Sequence, residues 1–107
     1  MGHLIDSGNN NLQRFIEIQF EEKPYKIRHY DRVEYVKVND YQNAEIKEII
    51  DFLMSINNRI KKLMAQQTTQ TLNYKIELYD DHRSDLRFLM TDYVDHFEHH
   101  VKQITQN

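Results

Sequence analysis

The chain has 107 residues, 39% of them apolar, with seven Tyr, five Phe and a formal net charge of −3. That length fits one domain and argues against two lobes closing on a cleft, while the aromatic content argues against disorder. Two glycines, one proline and no cysteine exclude glycine-built nucleotide loops, turn-dense β-sandwiches, disulfides, thiol nucleophiles, iron–sulfur ligation and cysteine zinc sites.

In chain order, residues 1–13 hold both glycines and three consecutive asparagines and read as a flexible arm, with a single domain expected over 14–107. Ile16, Ile18 and Phe20 alternate with Glu17 and Gln19 at the period of a half-buried strand. Pro24, which lacks an N–H for a central ladder, marks the connection to a second β-compatible run, Tyr25 to Tyr30. Val33 to Val38 is rich in β-branched and aromatic residues and reads as a third strand. Asn39 and Asp40 are helix-capping residue types, and Ile46, Ile49, Ile50, Leu53, Ile56, Ile60, Leu63 and Met64 recur at gaps of three and four, predicting a helix over about 41–65.

The stretch from Leu72 to Tyr79 fits two patterns. Leu72, Tyr74, Ile76 and Leu78 alternate as in a strand, after which Asp80 or Asp81 would open a helix; Leu72, Ile76, Tyr79 and Arg83 also sit at helical spacing. Beyond it, Leu86, Leu89, Met90, Tyr93, Val94, Phe97 and Val101 give a long amphipathic helix, and Phe88 falls on its opposite side at ~100° per residue. The expectation is an α+β fold, an antiparallel sheet of three to four strands packed on two long helices in the order β-β-β-α-β-α. The alternative is a β-hairpin followed by a long helical hairpin.

Three constellations invite a functional reading. Lys23, Tyr25, Lys26, Arg28, Tyr30, Arg32, Tyr35 and Lys37 interleave cations with aromatic rings in a stretch where five basic residues oppose two acidic ones, as a nucleic-acid-binding ribbon would. Against it stands an ordinary sheet with a solvated face. Asp92, His96 and His100 are successive i, i+4 neighbours of metal-ligand type, and the same residues also suit a solvated helix end. The zincin spacing, with Glu directly after the first His, is absent. Tyr79, Asp80 and His82 could line a small pocket, but no nucleophile, base and acid stand at triad spacing.

Wide helix faces in a small chain gain burial by association. The leading expectation is therefore a non-enzymatic interaction protein, a homodimer or a protein-bound subunit, with Ile50, Phe52, Met54, Met64 and Phe88 as contact candidates. Nucleic-acid binding through the basic ribbon and a Tyr/His-lined ligand or enzyme pocket are the alternatives. No cofactor is implied. No apolar run approaches the ~20 residues of a membrane span, and a cytoplasmic location is the default expectation.

Overall fold

The computed structural model describes residues 2–79 and 81–105. The chain is α+β, with five α-helices, a 3₁₀ turn and a three-stranded sheet among these residues. They divide into two compact units: residues 2–14 with 28–66, and residues 15–27 with 67–105. No described helix is long and apolar enough to cross a membrane.

Helix α1 (Gly2–Glu17) replaces both the expected arm and the first expected strand. Its phase is set by Leu4, Gly8, Asn11, Phe15 and, just past its end, Ile18, which recur at three and four and are all buried. Asn10 and Asn11 do not loosen it, because their side chains bond along the helix itself: Asn10 Nδ2 donates to the Asp6 carbonyl and Asn11 Nδ2 to the Ser7 carbonyl, each at 2.8 Å. The Ile16/Ile18/Phe20 alternation is overridden, since Ile16 and Phe20 are 44% and 70% exposed while Phe15 is fully buried.

In the first unit, helix α2 (Arg32–Asn39) stands where a third strand was expected. Asp31 caps it, its carboxylate accepting from the Glu34 N–H at 3.0 Å, and Asp40 ends it in the left-handed conformation with φ 51°. Local capping outweighs the β-branched pattern here, and no residue of α2 is buried. A 3₁₀ turn (Tyr41–Asn43) precedes helix α3 (Ile46–Ala65), so the expected helix starts five residues later than the pattern implied.

In the second unit, α4 (Thr69–Leu72) is a single turn held by a reciprocal Thr68/Thr71 capping box. Strand β1 (Tyr25–Lys26) runs parallel to β2 (Lys75–Tyr79), which pairs antiparallel with β3 (His82–Asp85), giving the order β1-β2-β3. The sheet is thus mixed, not antiparallel throughout. The strand reading of the ambiguous stretch holds over 75–79, which removes the helical-hairpin alternative. Asp81 supplies the left-handed turn residue at φ 64°, and Asp80 lies outside the described residues.

The helix expected from Asp81 begins only at Leu86, because β3 intervenes; Asp85 is its cap, accepting from the Phe88 N–H at 2.9 Å. Helix α5 (Leu86–Thr105) buries Leu86, Leu89, Met90 and Tyr93 in a core that also contains Phe15, Ile18, Tyr25 and Ile76.

Burial pushes the Tyr93 phenol up to about 12 from its ordinary 10.0. A phenol that keeps its proton in the fold while the unfolded chain releases it contributes nothing below pH ~10 and weakens the fold as pH rises from there to ~12. Alkaline denaturation curves should therefore fall in that window, and Tyr93→Phe should flatten the fall by about 2–3 kcal/mol. An unchanged slope in the variant would show that Tyr93 is not the group responsible.

Candidate functional site

Helix α3 supplies the most distinctive surface of the first unit. Its apolar residues cover a broad sector, and the fold uses one flank of it: Ile56 and Ile60 are buried, and Ile49, Leu53 and Leu63 are half-buried. The other flank carries Ile46, Ile50 and Met54 at i, i+4, i+8, which are 71%, 40% and 59% exposed. Three such residues at helical spacing lie within about 80° of one another around the axis and make a continuous apolar stripe.

Beside α3 lies a groove of about 650 Å³. Leu12 of α1 with Phe52 and Ile56 of α3 supply its apolar lining, and Glu45, Lys47, Glu48, Asp51 and Arg59 its charged lining. Lys47 Nζ meets Asp51 Oδ2 at 3.4 Å on the exposed surface, a pair that solvent screens.

A second cluster in the same unit is polar and closed. Asp6 is buried, and its Oδ1 accepts from Tyr41 Oη at 2.5 Å and from Asn39 Nδ2 at 3.1 Å. Its Oδ2 is buried with no hydrogen-bond partner among the described residues. Burial first, then the hydrogen bond to Asp6 and the negative charge there, raise the Tyr41 phenol well above its ordinary range.

The expected interface residues are thus mostly presented to solvent: Ile50, Phe52 and Met54 in the first unit, and Phe88, 45% exposed, in the second, while Met64 is half-buried. Phe88 is isolated on its side of α5, flanked one turn on by Asp92. Sequence periodicity located these residues; Ile46 was legible as part of the same pattern but not as its most exposed member.

The basic stretch does not form a β-ribbon. Lys23, Tyr25 and Lys26 belong to the second unit, and Arg28, Tyr30, Arg32, Tyr35 and Lys37 to the first. Tyr25 is buried and its hydroxyl donates to Glu17 at 3.0 Å, so it presents no face for stacking. Lys23 Nζ sits 4.3 Å from the Tyr74 ring centroid. Tyr30 is half-buried, with Arg14 5.7 Å from its ring centroid and Tyr35 edge-on at 5.1 Å. Burial raises its phenol, partly opposed by the Arg14 and Arg32 charges.

Asp92 and His96 pair at 3.5 Å, whereas His100 lies edge-on to His99 at 5.9 Å between ring centroids. Among the described residues, no three His, Asp or Glu side chains are grouped so as to hold a metal ion. Tyr79 and His82 stack at 4.4 Å. No protein-family model matches the chain, and neither a curated protein nor a solved structure matches it significantly.

Proposed function

We propose that the chain is a non-enzymatic interaction protein that binds a protein partner through the uncovered flank of α3. The observation that carries this reading is the Ile46/Ile50/Met54 stripe, three large apolar side chains left to water at one helical spacing. Scattered surface apolar residues are ordinary, but a contiguous stripe rimmed by charges marks a surface that gains free energy by being covered. Burying a side chain of this size contributes about 1.5–3 kcal/mol, so three of them can carry a specific contact. The groove lined by Leu12, Phe52 and Ile56 lies on a different side of α3 from the stripe and is a separate feature of the same unit.

A photo-crosslinking side chain installed at Ile50 should form discrete protein adducts in cells, and the same group at exposed Gln42, in the 3₁₀ turn, should not. Absence of adducts at Ile50, or equal labelling at both positions, would overturn the reading.

A further inference from the structure

The groove beside α3 faces away from the Ile46/Ile50/Met54 stripe: at ~100° per residue, Glu48, Phe52, Ser55 and Arg59 centre about 170° around the axis from Ile50. It carries its own charges, and they are ordered along it. Glu45 and Glu48 stand at the N-terminal end of α3, Phe52 and Ile56 with Leu12 of α1 form the apolar middle, and Arg59 stands at the far end. Lys47 and Asp51 on the rim pair with each other. Glu45, Glu48 and Arg59 are exposed, and no ion pair engages them among the described residues.

The distance between the charged ends selects the form of the occupant. Glu48 and Glu45 precede Arg59 by eleven and fourteen residues, which at ~1.5 Å per residue is about 16–21 Å, or three to four turns. A helix laid along the groove covers that length with the same number of residues. At ~100° per residue its positions eleven or fourteen apart return to within about 20–40° of one another, so a base at one end and an acid at the other share a single ridge with the apolar residues between them.

A second copy of this chain does not supply such a ridge. A two-fold contact would set groove against groove. Each copy would offer the other only Phe52, 49% exposed, because Ile56 is buried in the floor and Leu12 is half-buried. Two concave faces leave the space between them unfilled, whereas the convex side of a separate helix fills it.

We infer that the groove is a protein-binding site of its own, not resting on the stripe, whose occupant is an amphipathic helix of another protein with Lys or Arg toward Glu45 and Glu48 and Asp or Glu toward Arg59. Contact with Leu12, Phe52 and Ile56 supplies the affinity, and the charges at the two ends select the partner and fix the direction in which it lies.

The test uses the full chain as bait for a displayed library of helical peptides about 18 residues long with one face randomised. Recovered sequences should carry Lys or Arg near one end, Asp or Glu eleven to fourteen positions away, and large apolar residues between. A recovered peptide, made synthetically, should bind about tenfold more weakly to Arg59→Glu and to Glu45→Lys/Glu48→Lys, with circular dichroism confirming that both variants remain helical. Exchanging the peptide's own acid for Lys should restore its binding to Arg59→Glu. A photo-crosslinking side chain at Ser55 should capture the peptide and one at Ile50 should not.

No enrichment, recovered peptides without that charge order, or an affinity unmoved by charge reversal would overturn the inference. Capture from Ile50 and not from Ser55 would overturn it while supporting the stripe, so the two readings fail separately. Sedimentation of the chain alone tests the second copy: a species of twice 13.1 kDa that Phe52→Asp dissolves and Ile50→Asp leaves intact would put that copy in the groove and overturn the separate helix.

Discussion

Phe15→Ala should destabilise the second unit by about 3–5 kcal/mol, the cost of removing a fully buried aromatic ring and leaving the cavity behind. The ring meets Tyr93 edge-on at 6.1 Å between centroids and 84° between planes, so part of the loss is a specific aromatic contact that a smaller aliphatic residue would not restore. Against a total stability of about 5–15 kcal/mol for a domain of this size, that is a large fraction, and urea or thermal unfolding should show it directly. Phe20→Ala is the matched control: Phe20 is 70% exposed and its truncation should change stability by no more than about 0.5 kcal/mol. The pair also tests the helical phase of α1, because a strand over these residues would bury Ile16, Ile18 and Phe20 and reverse the ranking. Equal losses in the two variants would contradict the packing described here.

That comparison locates what was legible in the sequence and what was not. The apolar recurrence of α3 and α5 was readable because their three-and-four spacing has no competing period. Strand β2 was readable because it alternates. Helix α1 was hidden because Gly8 and Asn11 occupy positions on its buried face where a large apolar residue would have revealed the phase, leaving the Ile16/Ile18/Phe20 alternation as the louder signal. Helix α2 was hidden for a related reason: it buries nothing, so its hydrophobic pattern carries no information about its conformation, and Asp31 and Asp40 at its ends are the informative residues. Strand β3 is only four residues long and contains one serine and three charged or titratable residues, His82, Arg83 and Asp85, so it is defined by pairing with β2 and not by its own composition.

The candidate surface was legible in proportion to the same spacing. Ile50, Phe52 and Met54 were identifiable because α3 has more apolar residues than one packed flank can bury. The stretch is not a β-ribbon because Arg32–Asn39 is helical and Tyr25 is taken into a core. Charge density along a chain specifies a surface only when the backbone keeps those residues on one face.

The second large effect is expected at the buried Asp6 cluster, where Tyr41→Phe should cost more than Asp6→Ala. Removing the Tyr41 hydroxyl leaves a buried carboxylate whose Oδ1 keeps only Asn39 and whose Oδ2 already lacks a partner. Losing a hydrogen bond to a charged buried group costs about 1.5–3 kcal/mol. Asp6→Ala strands the Tyr41 hydroxyl and Asn39 amide instead, but Asn39 is exposed and regains water, Tyr41 is only half-buried, and the orphaned oxygen disappears with the carboxylate. Its cost should be nearer 1 kcal/mol. The two substitutions therefore should not add: introducing Asp6→Ala into the Tyr41→Phe chain should recover stability, because it removes the charge that the first change left underpaired. The aromatic ring packs closely on Gly2, where a β-carbon would come within 2.6 Å of its Cδ2, and Tyr41→Phe keeps that ring while removing only the hydroxyl. A spectrophotometric titration supplies the independent readout. With Asp6 present the Tyr41 phenol resists ionisation, and with Asp6→Ala its titration should move down towards the ordinary range, with burial alone still holding it up. Simple additivity of the two losses, together with an unmoved phenol titration, would mean that Asp6 and Tyr41 are not energetically coupled.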